Sequence, residues 1–170
     1  MKTIEIFTDG ACGGNPGPGG WATVRYDKKT NTITDAYSSF RIEDTTNNRM
    51  EIEALLQALV LATTKYKNDV CLIYSDSAYC VNMFNDWINT WASNGWTNSK
   101  KEIVKNYDLV KKLYEYKKID FPNFQVLKIK GHADNIGNEL ADAYAVSAYT
   151  SDASKLAKIL KENDITLAIE

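Results

Sequence analysis

At 170 residues the chain is long enough for one domain with a proper core, and no shift of composition along it calls for a second. A content of 44% hydrophobic and 25% charged residues is that of a soluble globular protein; the longest apolar run, residues 54–62, is broken by Gln57 and too short to span a bilayer. The formal net charge of −2 hides an uneven distribution: between Lys100 and Lys118 seven lysines stand against three acids, so that stretch is +4 and the remainder −6. Such a stretch is either a solvated helix face or a surface that binds phosphates. Cys12, Cys71 and Cys80 are odd in number and lack paired spacing, so reduced thiols are expected, without a disulfide or structural zinc. Met1-Lys2-Thr3 leads into the first strand with no apolar signal region, which sets the expectation of a cytoplasmic protein.

In residues 3–9, Ile4, Ile6 and Thr8 alternate with Glu5, Phe7 and Asp9, a period-two pattern that predicts a buried strand. Gly10 is expected to end it, leaving the Asp9 carboxylate beside the glycine-rich turn of residues 11–20. An Asp before Gly at a strand end is also a common turn former. Residues 20–26 and 31–42 read as two further strands of an antiparallel meander, joined by the polar turn 27–30. Residues 49–65 carry Met50, Ala54, Leu55, Ala58, Leu61 and Ala62 at the spacing of a packed helix face. Residues 70–75 form an apolar strand ending at Asp76, and helical spacing resumes from Ser77. Trp87, Trp91 and Trp96 punctuate a polar region before an amphipathic helix over 105–118. Residues 124–130 are the last clear strand, followed by Gly131-His132 and an Ala-rich helix over 138–149; a short helix is expected at 155–162. Strands that precede helices after an opening meander indicate an α/β layered domain with a mixed sheet.

Asp9 and Asp76 both stand where apolar strands stop, Glu51 sits one turn into the long helix beside its apolar face, and Asp142 lies early in the Ala-rich helix. If these acids face one sheet edge, their charges repel, and hard divalent cations resolve the conflict by taking oxygen ligands. Mg²⁺, or Mn²⁺ in its place, is the expected cofactor. Two such ions activate the attacking water and stabilise the leaving oxygen in phosphodiester hydrolysis. Acidic strand ends and helix starts are common, however, so local motifs must decide.

Those motifs are Ile6-Phe7-Thr8-Asp9-Gly10, the loop from Gly14 to Gly20, Asn47-Asn48-Arg49-Met50-Glu51, Ser75-Asp76-Ser77, Gly95-Trp96 and Gly131-His132-Ala133. In that order, from about Ile4 to Ala145, they resemble type 1 ribonuclease H, the bacterial and phage branch with a helical substrate-binding protrusion. The resemblance implies a five-stranded mixed sheet, an antiparallel meander plus parallel strands, with helices on both faces. It implies a catalytic domain over residues 1–149; it does not cover residues 150–170, whose own pattern indicates a C-terminal helical extension. It also implies endonucleolytic cutting of the RNA strand of RNA–DNA hybrids, leaving 5′-phosphate and 3′-hydroxyl ends. The matching carboxylates Asp9, Glu51, Asp76 and Asp142 would hold two Mg²⁺ ions when substrate is bound. Glu139 matches a further acidic position near the second metal, and His132, the single histidine of the chain, a loop histidine that assists proton transfer or product release.

For the substrate, the resemblance assigns minor-groove contacts to backbone groups near Gly10 and Cys12 and to the amides of Asn15, Asn47 and Asn48, where 2′-hydroxyls distinguish RNA from DNA. Thr46 and Asn48 match a pocket that grips a phosphate of the DNA strand. Trp87 and Trp91, four apart on one helix face, serve either packing or contact with the DNA strand. Ala92-Ser93-Asn94 stands where the protrusion is often strongly basic, so hybrid binding should lean on Lys100, Lys101 and Lys105; Ala78 replaces a frequent minor-groove glutamine. The family's N-terminal duplex-binding module is not expected. The rival readings are a related-fold nuclease acting on DNA junctions and a non-catalytic hybrid-binding module, against which stand the asparagine pair and the intact acids. A monomer without membrane association is expected.

Overall fold

Alternating β-branched and aromatic residues make β1 (Thr3–Cys12) a strand buried on both faces, and it occupies the middle of the sheet. In the computed structural model, which describes residues 1–129 and 135–169, β1 pairs antiparallel with β2 (Gly17–Asp27) and β2 with β3 (Thr32–Ser38), giving the expected meander. Gly10 does not end β1: it pairs with Trp21, and the strand continues to Cys12. The short β4 (Ile42–Thr45) pairs with the start of β2. On its other side β1 runs parallel to β5 (Val70–Ser75), which runs parallel to β6 (Phe124–Lys128).

The sheet has seven strands, not five, because β4 and a two-residue β7 (Thr166–Leu167) join it, the latter in parallel with β3 from the C-terminal tail. Strands this short carry too few alternations to stand out in a sequence.

Helix α1 (Asn47–Thr63) starts two residues before the expected position because the Thr46 hydroxyl accepts from the Arg49 N–H and caps it. Its Ile52, Leu55, Ala58 and Leu59 pack on Ile4, Ile6 and Ile73 of the sheet. Thr23, fully buried, donates to the Ala54 carbonyl at 2.7 Å and ties helix to sheet by a polar contact as well. α2 (Ala78–Asn82), a π-helical segment Met83–Trp87 and α3 (Ile88–Ser93) follow β5 without a break, and α4 (Tyr107–Lys117) closes this layer through Leu109, Val110 and Leu113.

On the opposite face α5 (Ile136–Thr150) lays Leu140 and Ala141 on Phe7, Val24 and Ile33. α6 (Ser154–Glu162) adds Leu156, Ile159 and Leu160 to this second core. No helix among the described residues is long and apolar enough to cross a membrane.

The start of α5 touches β1 through Gly137, where a Cβ would lie 2.4 Å from ring carbons of Phe7. The Phe7 ring is itself stacked on Tyr74 at 5.4 Å and cannot swing aside freely. Gly137→Ala gains roughly 0.5–1 kcal/mol of helix propensity but overpacks a filled site, which costs about 1–3 kcal/mol. The steric term wins. Urea unfolding should therefore show a net loss of about 1–2 kcal/mol; a variant as stable as the parent would mean that α5 shifts without cost.

Candidate active site

The parallel register sets Thr8 opposite Ser75, so the next residues, Asp9 and Asp76, come side by side where β5 ends, Asp9 still paired with Ala22 of β2. Glu51 comes to that edge from α1, and Gly10 is what lets it arrive. A Cβ on Gly10 would lie 2.5 Å from both the Glu51 nitrogen and the Met50 carbonyl carbon, so any other residue would push the helix off the strand. With the backbones this close, the Gly10 N–H donates to Asp9 Oδ1 at 2.9 Å and to Glu51 Oε1 at 3.0 Å. The buried Ser75 hydroxyl donates to Glu51 Oε2 at 3.5 Å. One oxygen from each of Asp9, Glu51 and Asp76 lies within 4.8 Å of the others.

Asp9 and Glu51 are 4% and 7% exposed, too deep for water to screen their charges, whereas Asp76 stands on the solvent side. Burial first, and then the Glu51 charge, raises Asp9 far above the ordinary carboxylate range. Burial likewise pushes Glu51 up to about 7. Asp76 is raised by partial desolvation and by the charge of Asp142. The inner pair thus keeps a proton between them at neutral pH. A group of oxygen acids that holds a proton where isolated acids hold none matches the preference of a hard divalent cation, which substitutes for that proton with more charge.

Asp142, on α5, is near enough to add its charge to Asp9 and Asp76, yet it lies outside the tight trio. Its carboxylate meets the Lys155 ammonium of α6. Glu139 occupies the first turn of α5. His132 lies outside the described residues.

The residues expected to contact substrate are placed as follows. Asn47 and Asn48 are exposed at the start of α1, and the Asn47 N–H donates to Asn15 Oδ1 at 3.1 Å. The Thr46 hydroxyl is engaged as the α1 cap, and Cys12 Sγ donates to the Gly17 and Thr45 carbonyls at 3.5 Å. Trp87 and Trp91 lie with ring centroids 6.2 Å apart. Trp91 packs partly on the core, Trp87 is 41% exposed, and both line a cavity of about 220 Å³ with Asn48, Tyr79, Lys105 and Asn106. Arg49 forks onto Asp108 at 3.0 and 2.8 Å and holds α1 against α4 beside that cavity. Lys100 and Lys101 are exposed on a turn organised by Asn98, whose Oδ1 accepts from the amides of Lys100 at 2.9 Å and Glu102 at 3.1 Å. Sequence reasoning missed Ser75, Tyr79, Asn106 and Lys155. Only Ser75 carried a signal, a hydroxyl at a buried strand position next to a site acid.

The family model for RNase H matches residues 1–150. A curated ribonuclease H of Caldanaerobacter subterraneus subsp. tengcongensis is 44% identical over 163 residues, covering 95% of this chain and 96% of its own. A ribonuclease H of Legionella pneumophila (strain Corby) is 42% identical over 143 residues, covering 84% and 93%. Among solved structures, LC11-RNase H1, isolated from compost, superposes with a TM-score of 0.63 at 29% identity, covering 89% of this chain and 98% of that one. The RNase H domain of PFV shares the fold, with a TM-score of 0.71 at 24% identity over 87% and 94% of the two chains.

The electrostatics predict a pH signature. Both inner acids have folded-state pKa values above their unfolded ones, so the stability they contribute to the metal-free protein is fully present below about pH 4 and lost as pH rises, through about 7 for Glu51 and on toward about 11 for Asp9. In a chelator, unfolding free energy should fall by on the order of 2–3 kcal/mol between pH 4.5 and 8 from this source. Asp9→Asn should remove most of that fall and leave the protein at least as stable at pH 8. Parallel pH profiles for parent and variant would show that the pair does not repel.

Proposed function

We propose, on the footing that this chain belongs to the RNase H family and hydrolyses the RNA strand of RNA–DNA hybrids, that Asp9, Glu51 and Asp76 hold its divalent cations. Mg²⁺ is the native ion in this reading and Mn²⁺ a substitute, with Asp142 completing the site for a second ion when substrate is bound. The observation that carries it is the donor set, three carboxylates with oxygens within 4.8 Å of one another, two of them buried. Bound there, divalent cations would neutralise the acids and supply an activated water and stabilisation of the leaving oxygen, chemistry that leaves 5′-phosphate and 3′-hydroxyl ends.

The chain's own groups fix the geometry. The Gly10 N–H, shared by Asp9 and Glu51, holds two ligand oxygens at set positions before any ion arrives. Asn15, Asn47 and Asn48, with backbone groups near Gly10 and Cys12, read the 2′-hydroxyl side of the minor groove. The DNA strand lies along Thr46, Asn48, Trp87 and Trp91, the tryptophans offering ring faces to its sugars. Lys100, Lys101 and Lys105 meet backbone phosphates. Glu139 and His132 act at the edge of the metal site, His132 in moving a proton or releasing product. The helical stretch through α3 and the lysine-bearing turn support reading it as a type 1 enzyme with a protrusion. Residues 1–149 are its catalytic domain and 150–170 an extension, working as a cytoplasmic monomer.

The test is cleavage of an end-labelled hybrid with Mg²⁺ and with chelator, beside duplex DNA and duplex RNA. Asp9→Asn and Asp76→Asn should each lower kcat by about three orders of magnitude or more, since metal stabilisation of the transition state is worth several kcal/mol. Turnover undiminished in either variant refutes the assignment. Replacing Lys100 and Lys101 together with Ala should raise KM and reduce the salt slope of binding by up to about 2, near 0.9 per lost phosphate contact. An unchanged slope takes those lysines off the binding surface.

A further inference from the structure

Among the described residues, Lys155 is the one cation of the C-terminal extension that reaches the acidic edge. Its ammonium pairs with the Asp142 carboxylate, 13 residues away. Neighbouring Lys158 turns instead to Glu162 on its own helix at 3.9 Å. The placement is built rather than incidental, because the helix that carries Lys155 is fastened along its length. Leu156, Ile159 and Leu160 sit on the second core. Beyond them the Asn31 side chain donates to the carbonyls of Asn163 at 2.8 Å and Asp164 at 3.1 Å, and the Ala168 N–H donates to the Ile33 carbonyl at 2.8 Å. The first turn of α6 therefore stands at a set distance from α5, and a four-carbon stem spans the gap. The pair stays open to solvent, with side chains 57% and 35% exposed for Lys155 and Asp142, so ions in solution can compete for the carboxylate. Residue 155 also lies beyond the segment 1–150 matched by the family model.

We infer that Lys155 is a tethered cation that competes with the divalent metal for Asp142 and thereby sets the metal concentration at which the enzyme becomes active. The inference rests on the reading above, in which Asp142 belongs to the metal site. One ammonium neutralises one carboxylate, so while Lys155 is seated the edge offers an incoming ion less negative charge and one free ligand fewer. As an ion enters, Lys155 lets go and its head returns to water at little cost, because it is already more than half exposed. The competition is for that reason modest: an exposed ion pair of this kind shifts an equilibrium by about two- to fivefold. Lys155 is thus a positioning residue that tunes metal demand, not a group that touches the substrate.

The experiment is a Mn²⁺ titration followed by the EPR signal of free ion, on the full chain bound to a hybrid made uncleavable by 2′-O-methyl groups in its RNA strand. The proteins are the parent, Lys155→Met, Lys158→Met, Asp142→Asn and the Asp142→Asn/Lys155→Met pair; the midpoint of Mg²⁺ activation is read in parallel on cleavable hybrid. Lys155→Met should tighten Mn²⁺ binding about two- to fivefold and lower the Mg²⁺ midpoint by a similar factor, with Lys158→Met unchanged. In the Asp142→Asn background the Lys155 substitution should do nothing. If Asp142→Asn weakens Mn²⁺ binding while Lys155→Met matches the parent or Lys158→Met, this inference falls and the metal-site reading stands. If Asp142→Asn binds Mn²⁺ like the parent, both fall.

Discussion

Two acids sharing one amide hydrogen is the constraint on which the rest of the structure depends. The Gly10 N–H serves Asp9 at 2.9 Å and Glu51 at 3.0 Å, which requires the first turns of α1 to press against β1 where only a hydrogen side chain fits. The surrounding packing keeps that approach. Ile4 and Ile6 face the apolar stripe of α1, Phe7 faces α5 on the other side, and the Thr46 cap fixes where α1 begins. A strand buried on both faces between two helices cannot retreat to relieve the repulsion at Asp9.

The arrangement sets function against stability. Buried carboxylates without a paired cation oppose folding, and here the inner two settle their conflict by keeping a proton. No lysine or arginine is aimed at that inner pair among the described residues; the cations nearby meet other partners, Arg49 on Asp108 and Lys155 on Asp142. A salt bridge at Asp9 or Glu51 would steady the fold and block the site. The electrostatic strain left in place is what would give an entering dication its affinity.

Much of this was legible in the order of residues, for reasons that differ by element. The alternation in β1, the apolar stripe of α1 and the runs of β5 and β6 are long enough for periodicity to declare them, and motifs around Asp9, Glu51 and Asp76 marked the acids. The meeting of Asp9 with Asp76 follows from the parallel register of β1 and β5, since a shift of one residue would turn either acid to the other face. Other features depended on tertiary contact. β7 exists because Thr166 and Leu167 find the free edge of β3, and the π-helical turn at Met83–Trp87 leaves no mark in helical spacing. Tyr79 and Asn106 come to the tryptophan-lined cavity from separate elements, and Lys155 is a lysine among several until α6 docks.

The central claim is that the three carboxylates form one metal-binding centre, and locating the ion tests it most directly. Crystals equilibrated with Mn²⁺ and measured near the manganese edge should give an anomalous difference peak in contact with oxygens of Asp9, Glu51 and Asp76. A protein that cleaves hybrid in the same Mn²⁺ buffer, yet shows no peak there or shows its ion away from all three acids, would contradict the account.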